Sequence, residues 1–321
     1  MLALAWLAII GFCIIMYIIL DGFTLGTGML LVFLNPDERS LATSVILPTW
    51  DGNQTWLVLG MASLYGAFPL AFSILLPNLY LPLLVMVVAL LLRGVVFEFR
   101  MKSEKGQPTW DKIFSGAALT VALVQGYILG TFVQGFNSDV EPSMWFDFMT
   151  AFSVVIGYCL LGATRLILKT EHSIQAKMFA IAKKLIWILI ISIGVVSVWT
   201  PFVHPLLRHR WFNPTLMPYL AILPLMTLII FIALFYALKK QNDRLPYWLT
   251  VAFFLCPYLG FLLSVFPYIV PYQVTILEAA APTSSLRFIL VGVCIMLPVL
   301  LAYTFYSYRI FRGKINEIVH Y

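Results

Sequence analysis

The sequence predicts an all-α, polytopic membrane protein of about nine transmembrane helices. Three observations predict it. Of 321 residues, 62% are hydrophobic and 11% charged, where a soluble globular chain has about 45–50% and about 25%. The apolar runs are continuous and longer than about 18 residues, the length a membrane helix needs. Strands of a membrane barrel would alternate instead, so a barrel is excluded. The basic residues, finally, flank the runs and fall mostly on alternate sides of them. The net charge of +6 therefore speaks for membrane borders and not for nucleic acid.

In chain order, the runs are 4–33, 54–76, 79–100, 113–135, 145–168, 185–204, 216–238, 247–270 and 286–310. The first has no basic residue before it and no small-residue cleavage site, so it reads as a span and not a signal peptide. With the N-terminus outside, sixteen of the twenty Lys and Arg residues lie inside. They include Arg39, Arg100, Lys102, Arg165, Lys169, Lys177 and Lys314. Arg208, Arg210 and Arg287 lie outside, and Arg93 falls within a span. So asymmetric a placement predicts N-out, C-in and an odd number of spans. The inner stretch 169–184 is too short to fold alone, and residues 1–321 read as a single integral membrane domain. Cys13, Cys159, Cys256 and Cys294 are scattered singly, with no metal or disulfide spacing.

The polar residues inside these runs carry the chemistry. The stretch WDGNQTW at 50–56 leads from a short polar loop into a long apolar run. Asp51 there is a membrane-rim carboxylate, which suggests function, or a helix N-cap. Asn53 could cap or bond across helices. In span 1, Asp21 lies toward the inner side, and Gly22 and Gly26 have the small-xxx-small spacing of a close helix crossing. In span 3, Arg93 and Arg100 share a face, while Glu98 points elsewhere and can pair with Lys102 one turn on. Asp21, Asp51, Arg93 and Glu98 thus gather in the inner half of three consecutive helices. They suit a polar inlet for cytoplasmic protons. An Asp21–Arg93 pair that merely locks the bundle is the plainer reading, and the two are compatible. His172, His204, His209 and His320 all lie away from span centres, so a bis-His haem site is not expected. Met29, Met61 and Met86 read as core filler. There is no phosphate loop, triad or metalloprotease motif.

The sequence resembles subunit II of the cytochrome bd-type quinol oxidases along essentially its whole length. The resemblance rests on DGFTLGTGML at 21–30, WDGNQTWLV at 50–58, AFPLAF at 67–72, LRGVVFEFR at 92–100, FPYIVP at 266–271, EAAAP at 278–282 and FRGK at 311–314. The short inner loops and the FPYIVP-to-EAAAP end look most similar to the cyanide-insensitive branch. The resemblance implies two four-helix bundles plus one peripheral helix in a bacterial cytoplasmic membrane. It implies a haem-bearing subunit I with two b-type haems and one d-type haem, and no haem in this chain. It also implies quinol as donor, ubiquinol or menaquinol, oxygen as acceptor and cytoplasmic protons. A small single-span subunit and a structural quinone occur in some members. In the family the aspartate matching Asp51 is part of a suspected proton route. The tryptophan matching Trp56 lies by an apolar passage for oxygen, although a Trp near a rim is also a common interface anchor. Asn53 is grouped with Trp56 as lining that passage or facing the partner. Glu278, in an outer loop, reads as a solvated carboxylate or a partner contact. The rival class is a proton-coupled secondary transporter, against which stands the lack of paired Gly/Pro-broken spans. A structural scaffold is the third.

Overall fold

The computed structural model describes residues 1–103, 105–136 and 141–315. Helix α1 (Leu2–Leu30) is apolar over its first two thirds and turns polar and glycine-rich at Asp21. A 3-10 turn (Leu31–Phe33) ends it. Asn35, Pro36 and Glu38 then start α2 (Pro36–Ile46) with a capping box. Next come α3 (Trp50–Ala67) and α4 (Pro69–Asn78). The run 54–76, expected as one straight span, is broken here, because α3 and α4 meet at an angle of 120°. Pro69 disfavours the helical conformation at Phe68, which sits at φ −134°, ψ 63°. The 18 residues of α3 still cover about 27 Å, and α4 turns aside.

The chain continues with α5 (Tyr80–Lys102), α6 (Gln107–Gln134), α7 (Met144–Lys169) and α8 (His172–Val203). Only Thr170 and Glu171 separate α7 from α8, so the expected inner loop 169–184 is not a loop. Its residues extend α8, whose 32 residues span about 48 Å against a hydrocarbon core of about 30 Å. Short α9 (Pro205–Trp211) precedes α10 (Met217–Lys239) and α11 (Leu245–Val265). The eighth run, expected to reach 270, ends at Val265 and passes into an antiparallel hairpin of β1 (Tyr268–Val270) and β2 (Val274–Thr275). There, Thr275 and Glu278 form a capping box on α12 (Ile276–Ala279). The last helix is α13 (Thr283–Ile310). Among the described residues, eight helices have the length and apolarity of membrane spans, or nine with α3–α4 counted as one.

Helix α7 lies at the centre and is buried over most of its length. It packs on α1, α6, α8 and α11, while α1 also packs on α3 and α6, α5 on α6, and α10 on α8 and α11. The α1–α7 crossing is backbone to backbone. A Cβ at Gly26 would stand 1.7 Å from the Tyr158 carbonyl oxygen, and one at Gly162 2.4 Å from the Gly26 carbonyl carbon. This is the close approach that small residues permit where lipid offers no hydrophobic drive to associate. Helix α13 is the opposite case: it lies against α3, and Leu286 is its one buried residue.

Candidate functional site at the basic end

Ion pairs gather several helix links and Lys314 at one end. Arg100 Nε lies 2.6 Å from Asp111 Oδ1 across the α5–α6 link, and Arg39 Nη1 lies 4.0 Å from the same carboxylate. Arg100 Nη2 also donates to Ser40 of α2 at 3.2 Å. Lys177 of α8 reaches Glu38 at 2.7 Å, and Lys314 bridges Asp243 at 2.6 Å and Glu171 at 3.5 Å. Burial alone would push the Glu38 carboxyl up. Lys177, Ser173 and the Asn35 N–H outweigh it and hold Glu38 below the usual carboxylate range.

Asp51 stands in the first turn of α3 and is exposed. The cap reading does not hold, because Thr49 occupies the N-cap position. The Asp51 carboxylate has no hydrogen bond or ion pair with any described residue. It does carry the negative charge that the N-terminal end of a helix favours. Asn53, by contrast, is buried and bonds across helices. Its Nδ2 donates to the Leu20 carbonyl of α1 at 2.8 Å, and its Oδ1 accepts from the Tyr308 hydroxyl of α13 at 2.9 Å. Trp56 is fully buried, edge-on to Phe12 at 5.7 Å and packed among Cys13, Tyr17 and Leu20. Trp56 and Asn53 are both buried within the chain, and the 53, 56, 60 stripe of α3 faces α1.

Deeper in, Arg93 Nη1 donates to both Asp21 oxygens at 2.8 Å, with both side chains wholly buried. The expected pair is present. Tyr17 stands one turn before Asp21 on α1. Gln125 of α6 donates to the Tyr17 oxygen at 2.6 Å, and Tyr158 of α7 donates to Gln125 at 2.6 Å. A buried polar string thus joins α5, α1, α6 and α7. Glu98 is not part of it. It is exposed and lies 3.6 Å from Lys102, the expected one-turn pair.

Sequence reasoning missed three groups. Asp111 is the countercharge of Arg100, and the acidic residue after Trp110 was its only signal. Asp147 is buried at the opposite end of α7, where it accepts from Gln134 at 2.6 Å. Arg165 lies among the faces of Phe23, Tyr247 and Tyr308, 4.8 to 5.2 Å from their centroids, the geometry of cation–π attraction.

Among the described residues, His172, His204 and His209 do not form a pair facing one haem between the helices. His172 opens α8, His204 stacks on Tyr272 in the α8–α9 bend, and His209 lies in α9. His320 lies outside the described residues. Among the described residues no three or more His, Cys, Asp or Glu gather as metal ligands.

Fold and site together define a polytopic helical membrane protein, with a sealed ion pair in its interior and an open carboxylate at its basic end. Residues 2–311 match the family described as cytochrome bd terminal oxidase subunit II, and the chain belongs to that family. It is 23% identical to cytochrome bd ubiquinol oxidase subunit 2 of Bacillus subtilis (strain 168), over 97% of this chain and 96% of that protein. It is 27% identical to cytochrome bd-I ubiquinol oxidase subunit 2 of Escherichia coli (strain K12), over 61% of this chain and 56% of that one. The bd oxidase from Geobacillus thermodenitrificans has the same fold, with a TM-score of 0.77 at 15% identity, covering 97% of this chain and 98% of the matched chain. The protein is thus a multi-pass cytoplasmic-membrane component of a respiratory oxidoreductase. The transporter reading is set aside by this membership.

Proposed function

We propose that this chain is the haem-free subunit of a quinol:oxygen oxidoreductase, supporting a haem-bearing subunit I with two b-type haems and one d-type haem. The family match over residues 2–311 carries this reading, and the histidine placement supports it. A small single-span subunit or a structural quinone would be additions to this core. The packing of α1 on α3 and α6, of α5 on α6, of α7 on α8 and α11, and of α10 on α8 and α11 supports two four-helix bundles, joined where α7 meets α1 and α6, with α13 peripheral. Native purification should yield this chain in stoichiometric complex with a haem protein. After separation, a pyridine haemochrome signal should follow the partner alone, and a stoichiometric signal on this chain would overturn the haem-free role.

The basic end is cytoplasmic in this reading, as the Lys and Arg bias requires. A reporter fused to the C-terminus should be active only in the cytoplasm. Protease access to it from outside intact cells would reverse the orientation and remove the inlet.

At that end Asp51 takes up protons, and Trp56 with Phe12 lines an apolar way for oxygen. The unpartnered, exposed Asp51 carboxylate supports the first role: a group tied to a cation would exchange protons less freely. The Asp21–Arg93 pair is the inner lock, with Asp21 as a second carboxylate of the route, and surface Glu98 lies at its mouth. Asp51→Asn keeps the size and removes the titratable group. The complex should assemble with full haem content but consume oxygen more slowly. The deficit should grow as pH rises and protons become scarce. Asp51→Glu should recover part of the rate. Wild-type turnover of the Asn variant from mildly acid to mildly alkaline pH would rule the role out.

A further inference from the structure

Helix α13 has one buried residue, Leu286, yet its last turns carry a dense set of bonds. The Tyr308 hydroxyl donates to Asn53 at 2.9 Å. The Tyr308 ring covers the Arg165 guanidinium at 5.2 Å and meets Phe23 edge-on at 6.3 Å. Beyond it, buried Lys169 donates to the carbonyls of Phe311 and, at 3.0 Å, Gly313. The Ile315 N–H returns a bond to the Lys169 carbonyl at 2.8 Å. Five residues before Tyr308, Tyr303 packs so closely on Gly52 that a Cβ there would stand 2.9 Å from its ring.

These contacts converge on one place. Gly52 and Asn53 follow Asp51 in the first turn of α3, and each meets a tyrosine of α13, while the Asp51 carboxylate makes no hydrogen bond or ion pair with a described residue. The carboxylate is held by its neighbours and not by a partner of its own. We infer that Tyr308 and Tyr303 are positioning residues, which clamp the first turn of α3 and so aim the Asp51 carboxylate. The clamp is anchored by Lys169 on the tail of α13. It also gives a reason for α13 to end in a bonded tail.

This inference rests on the proton role proposed for Asp51, and its test separates the two. Tyr308→Phe keeps the ring over Arg165 and removes only the bond to Asn53. Gly52→Ala crowds Tyr303 from the α3 side. Each assembled oxidase should carry full haem, keep its KM for quinol and lose kcat on the order of threefold to tenfold, the scale of one misplaced hydrogen-bonded group. In an Asp51→Asn background neither change should cost anything further. Amide exchange over residues 53–56 should quicken in Tyr308→Phe. Wild-type kcat in both variants would overturn the clamp. So would an equal loss in the Asp51→Asn background, or failure of both to assemble, because each makes the tyrosines packing alone. If Asp51→Asn itself turns over normally, the proton role falls. The clamp is then judged by amide exchange, and unchanged protection would overturn it.

Discussion

Gly26→Leu should abolish accumulation of the folded subunit, and Gly162→Leu should do the same. The reason is that the atom in the way is backbone. A Cβ at Gly26 meets the Tyr158 carbonyl oxygen at 1.7 Å and the Gly162 nitrogen at 2.9 Å, and neither can rotate aside. The helices would have to part, and α7 is the most buried element of the molecule. Overpacking in a well-filled core costs about 1–3 kcal/mol even where side chains can yield. The cost here exceeds that range, against a total stability of about 5–15 kcal/mol for typical domains. Gly22 is an internal comparison, since its added Cβ would meet the Tyr158 ring at 2.8 Å and a ring can shift. Gly116 and Gly194 have nothing within 4 Å, so alanine there should be neutral or slightly stabilising through helix propensity. Detergent-solubilised yield and thermal melting of the four alanine variants should rank Gly26 far below Gly22, and Gly22 below Gly116 and Gly194. Equal melting of Gly26→Ala and Gly116→Ala would refute the crossing.

That crossing is legible in the amino-acid sequence, because Gly22 and Gly26 carry a spacing with a physical meaning. The same holds for Asp21 and Arg93, since buried opposite charges on neighbouring helices must find one another, and for Glu98 with Lys102, which a helix fixes one turn apart. The rest is hidden for particular reasons. Pro69 is visible, but membrane helices tolerate proline, so nothing local distinguishes a bent span from a 120° turn. Asp51 reads as a possible cap because helix boundaries shift by a residue or two, and Thr49 stands just that far away. Trp56 looks like a rim anchor from its distance to the loop, yet its neighbours Phe12 and Tyr17 come from another helix. The cage around Arg165 joins residues 23, 247 and 308, and no spacing along one helix could announce it. Long-range side-chain groupings set much of this site, and pattern along the chain is silent about them.

Breaking the Asp21–Arg93 pair from either side should cost about 3–5 kcal/mol, the range for leaving one buried charge without its partner. The two sides should not be equal. In Arg93→Met the stranded carboxyl can take up a proton and become neutral. In Asp21→Asn the stranded guanidinium cannot lose one, and its Nε and Nη2 already lack a protein partner. Asp21→Asn should therefore assemble less well than Arg93→Met, as read from haem-loaded complex recovered per cell. The double variant removes both charges, and replacing a buried pair by neutral groups is often neutral or stabilising. It should recover assembly beyond either single change. Recovery that fails to appear would mean that the pair is not the isolated lock its geometry suggests. Turnover of the recovered complex then decides what else Asp21 does. Full oxygen consumption would leave it a lock only. A complex that assembles with its haems but turns over slowly would place Asp21 on the proton route, one turn from Tyr17 and the buried string ending at Tyr158.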